Sequence, residues 1–229
     1  MIKKPEKIKE IESQIDKALW EFEIHDQLEK ALGIYQQTEA QLMALELHEY
    51  DPDFTEQQRV LSYCLMRQGN MLRQLKKPRD ALALSEREIV AARLSRDEIT
   101  LARSLMSNGI NRIVAGEVDP GSSMLEEALA HFKNGESQDH KQGVGWCWII
   151  QADLANAGLV NKGAAEVVII ATQALDIVKP IENWPGVARA YAARGAAYEK
   201  LGNAEAATKD RQSQKEAESR IEAGERATS

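Results

Sequence analysis

The side chains best suited to chemistry are too few and too scattered to suggest a catalytic or metal centre. Two cysteines, Cys64 and Cys147, lie far apart, and no two of the four histidines have the HxxxH or HxH spacing of a metal site. The histidines are His25, His48, His131 and His140. We therefore expect no bound metal ion and no cofactor.

Motifs for phosphate binding or nucleophilic catalysis are also missing from the sequence. It contains no GxxxxGKS or GxxxxGKT loop, no GxGxxG and no GxSxG. Paired carboxylates such as Glu126 and Glu127 fit the polar face of a helix, where solvation explains them. We expect a protein without catalytic activity. An enzyme with an unrecognised site remains an alternative, because catalytic residues can be distant in sequence.

The distribution of charge bears on the kind of partner. The chain has 229 residues, 28% of them charged, and a net charge of -7. Residues 1–60 contain 14 acidic and 7 basic residues, whereas the charges of the remaining residues cancel. Because nucleic-acid binding requires a basic surface, an acidic first quarter argues against DNA or RNA as the main partner.

Cysteine use and hydropathy indicate a cytoplasmic protein. Cys64 and Cys147 lie in apolar helical stretches, which favours buried thiols in a reducing compartment over a disulfide. The N-terminal residues MIKKPEKIKEIESQ lack the apolar region of a signal peptide. The most apolar run, residues 164–178, is too short and too polar to cross a bilayer, so no membrane contact is expected.

The elements that could position a binding surface emerge from an internal repeat. GVGWCWIIQADLANAGL (143–159) aligns with GVARAYAARGAAYEKLG (186–202). A small residue recurs at intervals of about 40 to 43 residues, at Gly69, Gly109, Ala152 and Gly195. Since a glycine inside a helix costs about 1 kcal/mol relative to alanine, a closely packed neighbour must justify it. For Gly195 we expect that neighbour to be the helix carrying Ala207.

These residues resemble the tetratricopeptide repeat (TPR) family. The family pattern has a large residue at position 4, Gly or Ala at 8, a large residue at 11 and Ala at 20. The last unit matches with Tyr191, Gly195, Tyr198 and Ala207. The second unit matches with Leu65, Gly69, Leu72 and Ala81. The resemblance implies an all-α fold, a right-handed superhelical solenoid of about five antiparallel helix pairs with a C-terminal capping helix.

The repeat departs from the usual TPR period of about 34 residues. Its longer period resembles the branch that includes kinesin light chains and bacterial peptide-sensing regulators. We expect one solenoid domain over residues 1–222 and a frayed tail at 223–229. The expected units are 8–45, 56–95, 99–136, 142–181 and 186–222. Within the third unit, Asp119-Pro120-Gly121 predicts a turn, with Ser122 or Ser123 capping the next helix.

The resemblance also implies a binding surface. In TPR proteins, positions 2, 5, 9 and 12 of the first helix of each pair line a concave groove that holds an extended peptide or a partner's helix. In this sequence the implied groove residues are Tyr63, Met66, Asn70, Arg73, Arg103, Met106, Ile110, Trp146, Ile149, Asp153, Asn156 and Arg189. We expect an adaptor or scaffold that binds a protein or peptide segment.

Other functions remain open at this point. The chain could sense a short signalling peptide in the cytoplasm, as the longer-repeat regulators do. It could instead assemble with itself, for example as a homodimer. Chaperone binding is not implied, because of the five clamp positions of that TPR subtype only Asn70 has the required residue.

Overall fold

Helices account for most of the described residues. The computed structural model describes the backbone of residues 4–228 and the side chains of residues 4–222. Over residues 4–228 there are ten α-helices and no strand. The helices are α1 (Lys4–Glu21), α2 (Leu28–Met43), α3 (Phe54–Gln74), α4 (Pro78–Ser95), α5 (Glu98–Val114), α6 (Val118–Lys133), α7 (Gln138–Asn156), α8 (Ala164–Val178), α9 (Trp184–Lys200) and α10 (Ala204–Thr228).

Consecutive helices form pairs. Four pairs pack together: α1 with α2, α3 with α4, α7 with α8, and α9 with α10. Helices α5 and α6 form the remaining pair and approach each other closely at Gly109 and Gly121. The odd-numbered helices, called A helices below, also contact one another: α1 with α3, α3 with α5, and α7 with α9. The even-numbered helices are the B helices. The predicted all-α fold of five helix pairs is confirmed.

The chain divides into two compact units, Met1–Ala128 and Leu129–Ser229, and the boundary falls inside α6. The core of the first unit includes Ile8, Ile11 and Ile15 of α1, whose spacing of three and four residues is that of one helix face. The core of the second unit includes Ile149 and Val187. The single domain over residues 1–222 stays a prediction.

The C-terminal helix ends where the frayed tail was expected. The backbone of α10 is helical to Thr228. The side chains of residues 223–229 lie outside the described residues. The expected frayed tail at 223–229 therefore stays a prediction. Within residues 4–228, no helix combines the length and the apolar character needed to cross a membrane.

A left-handed residue lies in the turn that follows every A helix. The backbone angle φ is positive at Asp26, Lys76, Gly116, Gly158 and Gly202. The next residue then donates its N–H to a carbonyl five residues earlier, as from Lys77 to Leu72 at 2.8 Å. This bond satisfies a carbonyl that the end of the helix would leave unpaired. The turns between the paired helices therefore repeat the same backbone conformation, just as the helices repeat the same residue pattern.

The start of α6 corrects the predicted turn. Asp119-Pro120-Gly121 lies inside the first turn of α6, which begins at Val118, so Ser122 and Ser123 do not cap the helix. A proline is tolerated in a first turn because the N–H it lacks would have no partner inside the helix. The adjacent Gly121 donates its N–H to the Glu117 carbonyl at 3.1 Å, and this bond continues the helix.

Glycines mark the closest approach between α5 and α6. A Cβ atom on Gly109 would lie 2.8 Å from the Gly121 carbonyl oxygen, and a Cβ atom on Gly121 would lie 2.6 Å from the Gly109 carbonyl oxygen. In the second unit, a Cβ atom on Gly143 would overlap the Phe132 ring at 2.2 Å. These positions admit no side chain unless the neighbouring helix moves.

At Gly195, by contrast, there is room for a methyl group. The nearest atoms to a Cβ there would be Asp210 Cβ at 3.4 Å and the Ala207 carbonyl oxygen at 3.7 Å. The helix carrying Ala207 is the neighbour, as expected, but the approach is an ordinary van der Waals contact. A close approach of the kind predicted for Gly195 occurs instead between Gly109 and Gly121.

Candidate functional site

The predicted groove residues of the first unit lie on two neighbouring A helices, α3 and α5. Tyr63 of α3 is half-buried, and its hydroxyl donates to Asp16 Oδ1 of α1 at 3.2 Å. Burial raises the pKa of Tyr63 to about 12, with the Asp16 carboxylate adding to the rise and the Arg67 guanidinium opposing it. The phenol is therefore a neutral hydrogen-bond donor at neutral pH.

A second polar contact joins α3 to α5. Arg73 donates from Nη1 to Asn111 Oδ1 at 2.5 Å and from Nη2 to Asn70 Oδ1 at 2.8 Å. Asn70 and Arg73, both predicted groove residues, therefore bind each other. Asn111 was not predicted to belong to this face, and its buried side chain ties the guanidinium to α5.

The remaining predicted residues of the first unit supply apolar surface and one charge. Met66 of α3 and Met106 and Ile110 of α5 are half-buried, and Arg103 is exposed. An arginine and two methionines in contact with solvent can accommodate apolar and polar groups of different shapes, since the thioether side chain is flexible and polarisable.

A partly buried ion pair that sequence reasoning missed lies next to this face. Arg67 of α3 binds Glu23 in a two-point contact, and the hydroxyl of fully buried Tyr35 donates to Glu23 Oε2 at 2.8 Å. Burial, followed by the negative charge of Glu23, raises the pKa of Tyr35 above its ordinary value. Since 44 residues separate Arg67 from Glu23, no local pattern could indicate the pair.

In the second unit, α7 and α9 bring together an aromatic ring and an ion pair. Arg189 Nε of α9 donates to Asp153 Oδ2 of α7 at 2.5 Å, and the Arg189 guanidinium lies 5.9 Å from the centre of the Trp146 ring. Trp146 is half-buried and Arg189 is exposed. Burial raises the pKa of Asp153, and the neighbouring Arg189 opposes this rise.

Asn156 has a structural task. Its Nδ2 donates to the Ala193 carbonyl at 2.8 Å, and its own carbonyl accepts from Lys200 Nζ at 2.7 Å. These hydrogen bonds connect the C-terminal end of α7 to α9. Asn156 therefore has little hydrogen-bonding capacity left for a ligand.

Ile149 corrects the predicted groove. Its side chain is 0% exposed and belongs to the core formed with Leu175 and Val187. Ile149 therefore has no exposed surface with which to contact a partner, because its side chain packs against α8 and α9. Trp146, three residues earlier, packs against the edge of the same core.

Among the described residues, the side chains best suited to chemistry do not form a common cluster. Cys64 and Cys147 are fully buried, as predicted, and burial raises their pKa values to about 11 and about 12. The part of the chain that is described holds no group of three or more His, Cys, Asp or Glu side chains able to bind a metal.

One apolar groove lies away from the predicted residues. It lies between α2, α3 and α4, has a volume of about 330 Å³ and includes Met43, Leu61 and Val90 among its lining residues. Met43 and Val90 are both more than half exposed. The repeat pattern does not indicate this groove, because both residues lie on B helices.

The chain matches no protein-family model, and no curated protein matches it. Solved structures do match. A Podosopora anserina protein assigned as a kinesin light chain with nearly identical TPR-like repeats is 13% identical, with 93% of this chain and 97% of that chain covered and a TM-score of 0.52. The apo form of RapI is also 13% identical, with coverage of 97% and 86% and a TM-score of 0.54. At this identity the likeness concerns the fold alone, and it confirms the TPR-like repeat fold.

Proposed function

We propose that the exposed side of the A helices binds a protein or peptide segment and that the chain is a non-catalytic adaptor or scaffold. The observation that carries the proposal is the contact between side chains of neighbouring A helices, such as Arg189 of α9 with Asp153 of α7 beside Trp146. Such contacts make one continuous surface out of separate helices within a unit.

The composition of this surface favours a partly apolar segment. In the first unit, Met66, Met106 and Ile110 expose apolar atoms beside the polar contacts of Tyr63 and Arg73. Binding sites typically combine apolar area with a few polar groups that fix orientation. A segment with spaced apolar side chains and free backbone N–H and C=O groups fits this description.

The proposal can be tested with peptides selected from a displayed random library against the whole chain. The key variant is Trp146→Ala, because large aromatic residues contribute most to binding at protein interfaces. We expect selected peptides that contact the second unit to bind Trp146→Ala about 2 kcal/mol more weakly, roughly thirtyfold in Kd. Calorimetry on folded protein measures the affinity.

A matched control removes an exposed apolar side chain from a B helix. Ile169 of α8 is 60% exposed, so Ile169→Ala should leave peptide affinity unchanged. Thermal midpoints of both variants show whether Trp146 acts through stability, since loss of a core tryptophan costs about 3–5 kcal/mol. An equal loss of peptide affinity in both variants would contradict the proposal. A loss of affinity in Trp146→Ala that is fully explained by its lower thermal midpoint would contradict it as well.

Two further measurements separate the adaptor from its alternatives. A concentration-dependent dimer in sedimentation, with peptide binding lost on dimerisation, would favour self-assembly through the same surface. A strong preference for one short peptide with free termini would favour a sensor of a signalling peptide. A broad set of bound sequences within longer chains would favour an adaptor.

A further inference from the structure

A carboxylic acid lies in the core of the first unit. Glu88 of α4 is 1% exposed and is among the largest fully buried side chains of residues 4–222. Its Oε2 accepts a hydrogen bond from Ser107 Oγ of α5 at 3.2 Å. Its Oε1 has no hydrogen-bond partner among the described residues. An isolated glutamate in a core is unusual, because this residue is rarely buried without a partner of opposite charge.

The neighbours of Glu88 on α5 are polar but uncharged. Ser104, Ser107 and Asn108 are all buried. Asn108 Nδ2 donates to the Ser104 carbonyl at 3.0 Å. The amide of Asn111, one turn further along α5, donates to Ser85 Oγ of α4 at 3.0 Å. These amides are committed to other acceptors and leave Oε1 unsatisfied.

The charged groups around Glu88 do not neutralise it. Helices α3 and α5 pack on α4. From α3, the charge that acts on Glu88 is Arg73, whose guanidinium is bound to Asn70 and Asn111. On α5, Arg112 forms an ion pair with Glu117 and not with Glu88. Glu98 and Arg103 of the same helix are exposed to solvent.

The charged side chains of α4 itself also point away from the core. Glu86 is exposed, and the exposed Arg87 binds Glu39 of α2. Within the described residues, Glu88 forms no ion pair. An ionised carboxylate at this site would lose its hydration without gaining a direct ion pair, which favours the neutral acid, and the charge of Arg73 opposes this effect only in part.

We propose that Glu88 is a proton-dependent latch between α4 and α5. In the closed state the neutral acid lies in the core against Ser107. When the proton is lost, the carboxylate requires water, and the contact between α4 and α5 must loosen to admit it. Because Ser107 follows Met106 directly and Asn111 follows Ile110, this opening also displaces the α5 side chains of the candidate binding face. The latch does not depend on the proposed binding function.

The direction of the pH effect follows from proton linkage. Burial raises the pKa of Glu88 well above its ordinary value, while hydrogen bonds from Ser107 and Ser104 and the charge of Arg73 oppose the rise. Above the ordinary glutamate pKa the folded chain therefore holds a proton that the unfolded chain has released. The stabilisation is fully present below the ordinary pKa and is lost as pH rises towards the raised pKa of the folded state. For one proton, the unfolding constant increases up to about tenfold per pH unit in this window.

The test compares urea unfolding of the wild-type chain, Glu88→Gln and Glu86→Gln from about pH 5 to pH 9. Glutamine keeps the shape and the acceptor for Ser107 but cannot ionise. We expect the ratio of the wild-type to the Glu88→Gln unfolding constant to rise with pH, by up to about tenfold per unit. The exposed control, Glu86→Gln, should follow the wild type. A ratio for Glu88→Gln that does not change with pH would overturn the latch.

Two measurements on the wild-type chain keep the proposal testable if Glu88→Gln does not fold. The infrared spectrum of the native protein at neutral pH should contain a protonated side-chain carboxyl band that disappears on unfolding, and its absence would overturn the proposal. Hydrogen exchange at rising pH, corrected for the intrinsic rate, should accelerate first in α4 and α5. Equal acceleration in α1 and α2 would show general unfolding instead of a latch.

Discussion

At the scale of single residues, small side chains fix the distance between helices. The Gly109 and Gly121 backbones face each other so closely that a Cβ on Gly109 would lie 2.8 Å from the opposite carbonyl oxygen. A backbone atom cannot turn aside as a side chain can. We therefore expect Gly109→Ala to lower the free energy of unfolding by about 1–3 kcal/mol, as overpacking does. Chemical denaturation measures the change.

Gly195→Ala is the matched control, because its new methyl group would meet nothing nearer than Asp210 Cβ at 3.4 Å. The alanine should raise the free energy of unfolding by up to about 1 kcal/mol through its higher helix propensity. If both alanines have the same effect, helix propensity rather than the approach of α5 to α6 decides the outcome at Gly109.

At the scale of elements, each helix pair depends on a left-handed residue in its turn. Three of the five A helices end with glycine at this residue, but the turn after α3 has Lys76 with φ of 61°. Left-handed backbone costs a residue with a side chain about 1–2 kcal/mol, a cost that glycine avoids. We expect Lys76→Gly to raise the free energy of unfolding by about 1 kcal/mol, measured as a higher thermal midpoint.

The adjacent Lys77→Gly separates conformation from loss of the lysine charge. Lys77 has φ of -111°, a conformation that glycine does not favour over other residues. This variant should be neutral or destabilising because glycine increases the freedom of the unfolded chain. A stabilisation as large as that of Lys76→Gly would show that removing positive charge is the cause.

At the scale of the whole molecule, the uneven charge of the sequence is partly cancelled by pairing. Two carboxylates of residues 1–60 pair with arginines beyond residue 60: Glu23 with Arg67 and Glu39 with Arg87. The acidic first quarter therefore presents less free negative charge than its composition suggests. Exposed pairs of this kind contribute little stability, and the half-exposed Arg87 belongs to that class.

Stability in a repeat protein is a sum of local terms, so damage to one end should stay there. Arg194 of α9 binds Asp210 of α10 through two bonds of 2.8 Å and Thr172 of α8 at 3.0 Å. Asp210 is only 3% exposed. Arg194→Met leaves this carboxylate unpaired, and we expect a loss of about 3 kcal/mol. Amide exchange should accelerate in α8, α9 and α10 while α1 to α3 keep their protection.

Arg211→Met is the control for this prediction. Arg211 pairs with Glu199 between the same two helices, but both side chains are more than half exposed. Its loss should change the free energy of unfolding by no more than about 0.5 kcal/mol. Accelerated exchange throughout the chain after Arg194→Met would show that the helix pairs unfold as one unit.

The sequence by itself determined the helices, their pairing and the repeat. Periodic apolar residues, small residues at fixed intervals and the LGN turn at 201–203 act over a few residues, so they can be read without tertiary contacts. The local sequence predicts the wrong structure where a contact with a distant residue determines the residue type. Asp119-Pro120-Gly121 has the composition of a turn, yet it is helical, and Gly121 is required by the contact with Gly109.

Only the tertiary structure decided which way individual side chains face. A one-residue change of frame turns a helix by about 100°, enough to exchange a core position for a surface position. Ile149 and Trp146 show the result: one is sealed in the core and the other is half-exposed. The partners of Glu88 and Glu23 lie on other helices, and burial changes the chemistry of a carboxyl group only after the chain has folded around it.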